Sequence, residues 1–155
     1  MIGKTTHNMF DNKRYNRLAI KNNKNYKKAK PYSHIQFKNF LERDIAFKLY
    51  KNFPKYEDNC WISHKKYGRN INTNYKKAQH DEMYFPDTLR NFLRSLNSKQ
   101  FLLFLETLTG INGLIPDPYF IGGGLHISKE HGYLNTHVDF NWHHKLQLHR
   151  RVNVL

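Results

Sequence analysis

The chain has 155 residues, 39% of them hydrophobic and 15% aromatic, which fits one domain with a real core and excludes wholesale disorder. A single cysteine, Cys60, excludes a disulfide framework and a multi-cysteine zinc site, no apolar run reaches membrane-spanning length, and no signal-peptide stretch opens the chain, so a reducing cytoplasm is the expected setting. The net charge of +14 is unevenly spread: residues 1–80 hold 19 Lys+Arg against 5 Asp+Glu, whereas residues 81–155 hold 7 of each.

The charge is densest in residues 1–30, with nine basic residues and one acid, Asp11. The stretch from Lys13 to Lys28 has little apolar periodicity and is predicted to be a basic, disordered tail. Lysines with interleaved tyrosines can bind phosphates and stack bases. Against that, Lys and Asn each occur 18 times, spread along the whole chain, as codon usage in an AT-rich genome would give, so a nucleic-acid partner is not expected.

The folded part is expected to start near Pro31 and run to residue 155. Tyr32 to Phe37 can form a short strand. Asn39 is a plausible N-cap with Glu42 three residues on, and Leu41, Ile45, Leu49 and Phe53 then repeat along one helical face until Pro54. Residues 55–80 are polar and predict a loop with one strand at most. Pro86-Asp87 opens a second helix with Leu89, Phe92, Leu93 and Leu96 on one face. Ser98 can cap a third, with Phe101, Leu102, Leu105 and Leu108 inward and Gly110 as its C-terminal stop. These stripes are most simply core packing.

After Gly110 the pattern changes to turns and strands. Leu125–Ser128 reads as one strand. Tyr133–Trp142 reads as another with a period of two: Leu134, Thr136, Val138 and Phe140 on one face, Asn135, His137, Asp139 and Asn141 on the other. Arg151–Leu155 begins a third. Helices followed by antiparallel strands predict an α+β fold. Six of the ten histidines fall between His126 and His149. His137 and Asp139, two apart on a strand, project from one face and can take adjacent positions on a metal ion. His131, His143 and His144 read as solvated. A zinc site built from this cluster is disfavoured, because no cysteine pair accompanies it and the spacings are irregular.

Three stretches together carry a resemblance: Gly122-Gly123-Gly124-Leu125-His126-Ile127-Ser128, Gly132-Tyr133-Leu134-Asn135-Thr136-His137-Val138-Asp139-Phe140-Asn141, and Leu148-His149-Arg150-Arg151-Val152-Asn153-Val154-Leu155. This order of a Gly-rich strand, a His-x-Asp segment and an Arg-Arg-x-Asn-x-Leu strand resembles the 2-oxoglutarate/Fe(II)-dependent dioxygenases of the prolyl 4-hydroxylase-like branch. The segments Phe40–Phe53 and Asp87–Thr109 are similar to that family's supporting helices. The resemblance implies helices packed on a double-stranded β-helix, or jelly roll, with the second half of the barrel missing. It implies His137 and Asp139 as iron ligands and Asn153 facing the 2-oxoglutarate pocket. Ser128 and His126 lie near a position where relatives place a cosubstrate-contacting tyrosine. The implied cofactors are Fe(II), 2-oxoglutarate and O2, with ascorbate keeping the iron reduced, and the implied substrate is a small molecule or a peptidyl group. Arg150 and Arg151 can be structural or can help set the pocket charge, and the structural role is the one expected.

The family's third ligand, a distal His, and the Arg or Lys that anchors 2-oxoglutarate have no counterpart before Leu155. The chain is therefore expected to be the front portion of a longer dioxygenase, with little catalysis of its own, and Lys145 cannot be assigned the anchoring role. The competing expectation is an inactive basic module with nucleic acid or another anionic partner.

Overall fold

The computed structural model describes residues 9–10, 12–62, 75–134 and 136–155. Residues 1–8 and 11 of the predicted tail, 63–74 of the predicted 55–80 loop, and Asn135 of the predicted 133–142 strand lie outside the described residues. Among the described residues the chain is mixed α/β, with four helices and two small antiparallel sheets. No helix there is long and apolar enough to cross a membrane.

The basic segment is a helix, not a disordered tail: α1 spans Asn12–Lys28. Its inward face consists of Tyr15, Leu18, Ala19, Asn22 and Tyr26, spaced as one helical stripe. The stripe is faint in the sequence because two members are tyrosines, one is alanine and one is asparagine. Tyr15 and Ala19 are nonetheless fully buried. The Tyr15 ring packs 5.0 Å from Phe10 and 5.0 Å from Phe40, centroid to centroid, and its hydroxyl donates to the Phe40 carbonyl at 3.1 Å. Phe101, Phe104 and Leu108 complete this first core.

Those last three residues belong to α4, Lys99–Thr109, which starts on the predicted cap: Ser98 Oγ accepts from the Phe101 N–H. Gly110 ends it, donating to the Glu106 carbonyl at 2.8 Å. α1 runs in the same direction as α4 and packs along it more extensively than any other pair of elements. Near the shared C-terminal end, Asn23 Nδ2 donates to the carbonyls of Thr107 and Leu108 at 2.8 and 2.9 Å. Lys27 lies against Gly110. An amide thus meets the last carbonyls of α4, and an ammonium stands nearby, where unpaired acceptors and the negative dipole end accumulate.

α2 covers Arg43–Lys51, later than its predicted start. The Asn39 backbone is left-handed, with φ of 54°, and the Asn39 and Phe40 carbonyls accept from the Arg14 guanidinium at 3.2 and 3.0 Å. A helix N-cap is extended, so a left-handed Asn39 cannot fill that place, and the cap position falls to Glu42. Tyr32–Phe37 forms no strand; Ile35 and Phe37 instead pack on the first core.

α3, Asp87–Leu96, matches its predicted span. It joins two cores: Phe92 and Leu96 face the first, Leu89 and Leu93 the second, where Phe85 and Leu125 are buried and Phe53, Trp61 and Phe120 pack around them. Just before α3, Arg94 donates to both oxygens of Glu82, at 2.8 and 3.0 Å, and holds that carboxyl below its ordinary value.

β1, Lys76–Gln79, pairs antiparallel with β2, Leu125–Ser128, with Gln79 opposite Leu125 and Lys76 opposite Ser128. The predicted Leu125–Ser128 strand is therefore present. Gly124 precedes it with φ of 86°, and a Cβ there would overlap the Gln79 carbonyl oxygen, so the close approach of the two strands requires glycine.

The predicted Tyr133–Trp142 strand is not formed. Only β3, Trp142–His143, is extended and paired, with β4, Leu148–His149, in a short hairpin. Arg151–Leu155 likewise lies outside any strand. Alternation sets which side chains share a face, but a strand also needs a neighbour to pair its N–H and C=O groups. The bond from the Arg150 N–H to the Asn141 carbonyl, at 2.8 Å, continues the hairpin by one step, and no sheet forms beside the described residues 133–134 and 136–140. The two sheets do not close into a barrel.

Tyr15→Ala should lower stability by about 3 kcal/mol in urea unfolding, and Tyr15→Phe by about 1 kcal/mol. Deleting residues 1–30, harmless for a disordered tail, should abolish cooperative unfolding. Gly124→Ala should cost about 2 kcal/mol through strain at a left-handed position that also lacks room for a methyl group. Glu82 gains stability from Arg94 only while ionised, so its contribution is present above the unfolded carboxyl value of 4.5 and is lost as pH falls below it. The urea midpoints of the wild type and Arg94→Gln should therefore converge between pH 5 and pH 3, about the range of carboxyl titration.

Candidate functional site

The turn that leads into the Gly-rich segment is built on Asp117. Its carboxylate accepts from the Tyr119 and Ile121 N–H groups at 2.8 and 2.9 Å, and Asn97 Nδ2 donates to its backbone carbonyl at 2.9 Å. Asp117 Oδ1 also lies 3.2 Å from His143 Nε2, within ion-pair range but off the line of a good hydrogen bond. His143 is buried, not solvated as the sequence predicts. Its Nδ1 accepts the Leu146 N–H at 3.1 Å, so in this arrangement the ring proton sits on Nε2, facing the carboxylate. The β3–β4 hairpin is thereby fastened to the turn before β2.

A second fastening comes from Phe140. Its ring edge stands where a side chain on Gly122 would be, 2.9 Å from that glycine's notional Cβ. The Gly-rich segment and the His-x-Asp segment therefore meet in space. Residues 133–134 and 136–141 are otherwise open to solvent, with Val138 96% exposed.

Between these fastenings, His137 and Asp139 come together as predicted. His137 Nε2 lies 3.4 Å from Asp139 Oδ1, and both side chains are about half exposed. The other carboxylate oxygen, Oδ2, is 3.3 Å from Arg150 Nη1 and accepts from Asn153 Nδ2 at 3.4 Å. The Arg150 guanidinium also lies 4.4 Å over the Phe140 ring, a cation–π contact. Asp139 is thus a hub with a different neighbour on each side.

This donor set fits a metal ion in part. Two ligands bound side by side at about 2.1 Å, the usual distance for nitrogen and oxygen on zinc, stand about 3 Å apart, close to the observed 3.4 Å. A carboxylate whose second oxygen is hydrogen-bonded is the usual outer-shell arrangement at such sites. Among the described residues no group of three or more His, Cys, Asp or Glu side chains gathers, so the set is two ligands, one nitrogen and one oxygen.

The predicted pocket residues divide. Asn153 stands beside Asp139. His126 and Ser128 lie on β2, opposite Ala78 and Lys76, and His126 Nε2 is 3.2 Å from the Gly123 carbonyl. Arg151 is exposed. Arg150 has a more specific place than the structural role expected of it. Its signal in the sequence is the Arg-Arg pair just past the His-x-Asp segment. That pair does not say which arginine turns inward.

An open hollow of about 650 Å³ lies elsewhere, between the end of α2 and the turn before α3, lined in part by Phe53, Cys60, Tyr84 and Phe85. None of the predicted site residues lines it. Burial pushes the Cys60 thiol up from its ordinary value, with Asp58 adding to the effect, which makes it a poor nucleophile at neutral pH.

Comparison of the chain with family models, curated proteins and solved structures returns no match.

Proposed function

We propose that this chain, α1 included, forms part of a 2-oxoglutarate- and Fe(II)-dependent dioxygenase domain of the prolyl 4-hydroxylase-like kind. The observation that supports this most is the convergence of His137, Asp139, Arg150 and Asn153 on one carboxylate. Two separate motifs, His-x-Asp and Arg-Arg-x-Asn, meet there. In this reading β2 and the β3–β4 hairpin belong to a jelly roll, and α1 to α4 back it.

His137 Nε2 and Asp139 Oδ1 would hold the metal. Bound Fe(II) supplies a centre where 2-oxoglutarate and O2 react and a C–H bond of the substrate is hydroxylated. Arg150 and Asn153 take Asp139 Oδ2 and so turn Oδ1 toward the imidazole. The Phe140 ring supports the guanidinium. His126 and Ser128 are assigned to the cosubstrate side of the pocket, and the substrate is a small molecule or a peptidyl group.

Anaerobic calorimetric titration with Fe(II) reads the ligand pair directly. The wild-type chain should bind, with His137→Ala and Asp139→Asn each weakening binding at least tenfold. Arg150→Ala should weaken it by about tenfold, the lower end for removing an outer-shell partner. Equal binding by all four proteins would remove the assignment.

A further inference from the structure

The fold turns the basic segment into a surface. α1 carries seven cations and no acid. With Tyr15, Ala19 and Tyr26 turned to the core, Arg17, Lys21, Lys24 and Lys28 fall on the opposite side. Their offsets of four, three and four residues keep them within one narrow arc of the helix. All four are exposed. The row is about 16 Å long at 1.5 Å per residue. Lys13 extends the same face toward the N-terminus, and Asn16 and Asn25 flank it with exposed amides. No carboxylate among the described residues pairs with Arg17, Lys21, Lys24 or Lys28.

Such a row works against the helix that carries it. Arg17–Lys21, Lys21–Lys24 and Lys24–Lys28 are like charges at i,i+3 or i,i+4, which repel. Lys13 and Arg14 place positive charge at the positive end of the dipole. AT-rich codon usage accounts for abundant lysine, but not for a 17-residue helix without one acid to relieve it. A local rule broken without a gain in folding points to a binding role.

We propose that this outer face of α1 docks on the phosphate backbone of duplex nucleic acid, independently of base sequence. Cations every 4.5 to 6 Å, about three to four residues of helix, match a closely spaced line of negative charge. Exposed amides add hydrogen bonds to phosphate oxygens. An anionic membrane suits the helix less well. Interfacial helices insert an apolar face, and the apolar face of α1 is already occupied by α4, leaving Ile20 as its exposed large hydrophobic side chain among the described residues. The proposal is independent of any metal at His137 and Asp139.

The test is fluorescence anisotropy of two labelled duplex DNAs of unrelated sequence across a salt series, with phosphatidylserine vesicles as the competing surface. Contact of four cations with phosphates predicts a slope of log affinity on log salt of about −3.6, equal for both sequences. Arg17→Gln/Lys21→Gln/Lys24→Gln keeps good helix formers in place and should flatten the slope by about 2.7. Lys38→Gln/Lys48→Gln/Lys99→Gln removes the same charge from other exposed positions and should leave it within about one contact of the wild type. Circular dichroism checks that both variants stay folded. The proposal falls if the wild type does not bind duplex, if the two variants lose equally, or if only the vesicles bind.

Discussion

The docking of α1 on α4 is the contact on which the remaining structure depends. Two helices side by side in the same direction bring two negative dipole ends and two sets of unpaired carbonyls together. Asn23 and Lys27 answer this from within α1, at the carbonyls of Thr107 and Leu108 and at Gly110. Farther along, Tyr15 fills the space among Phe10, Phe40 and Phe104 while its hydroxyl takes the Phe40 carbonyl. One buried tyrosine thus supplies packing to the core and fixes the chain entering α2. Arg14 adds the Asn39 carbonyl to that grip.

From this core, order passes to the site through α3. Its two apolar rows, Phe92 with Leu96 and Leu89 with Leu93, reach different clusters. The second cluster holds Leu125, the first residue of β2, together with Phe120 from the turn that precedes it. Gly124 lets β2 approach β1 without a side chain between them. The Gly-rich segment is therefore rigidly placed. The chain beyond β2 is held at separate points, by Phe140 on Gly122 and by His143 beside Asp117. Before Phe140 it makes no ladder, and Val138 faces solvent.

Helices with large aliphatic stripes were legible in the sequence because their signals are local. The Ser98 cap, the Gly110 stop and the Pro86 opening each act within one turn, and α3 and α4 occupy the expected spans. α1 was illegible because its inward face consists of tyrosine, alanine and asparagine beside a single leucine, and their burial depends on the partner helix. Asn39 failed as a cap because its backbone is left-handed where an N-cap is extended. The 133–142 alternation has the right period for a strand, yet pairing is a property of two segments, and among the described residues the hairpin partner reaches back only as far as Asn141. His143 shows the same limit, since nothing in His143-His144 reveals the carboxylate of Asp117 beside it. His137 and Asp139 stand 3.4 Å apart although the strand predicted to carry them is absent.

The arrangement around Asp139 is not that of an ion pair built for stability. A stabilising Arg–carboxylate pair is usually bidentate, with both oxygens engaged by the guanidinium fork, as Arg94 engages Glu82. Arg150 takes one oxygen of Asp139 and stacks its plane on Phe140. The other oxygen is turned toward an imidazole nitrogen. With Asp139 and His137 about half exposed, such contacts add little to folding free energy. Two arrangements of arginine and carboxylate thus occur in one small chain. One closes both oxygens and pins the turn before α3. The other leaves an oxygen and an imidazole on the same side.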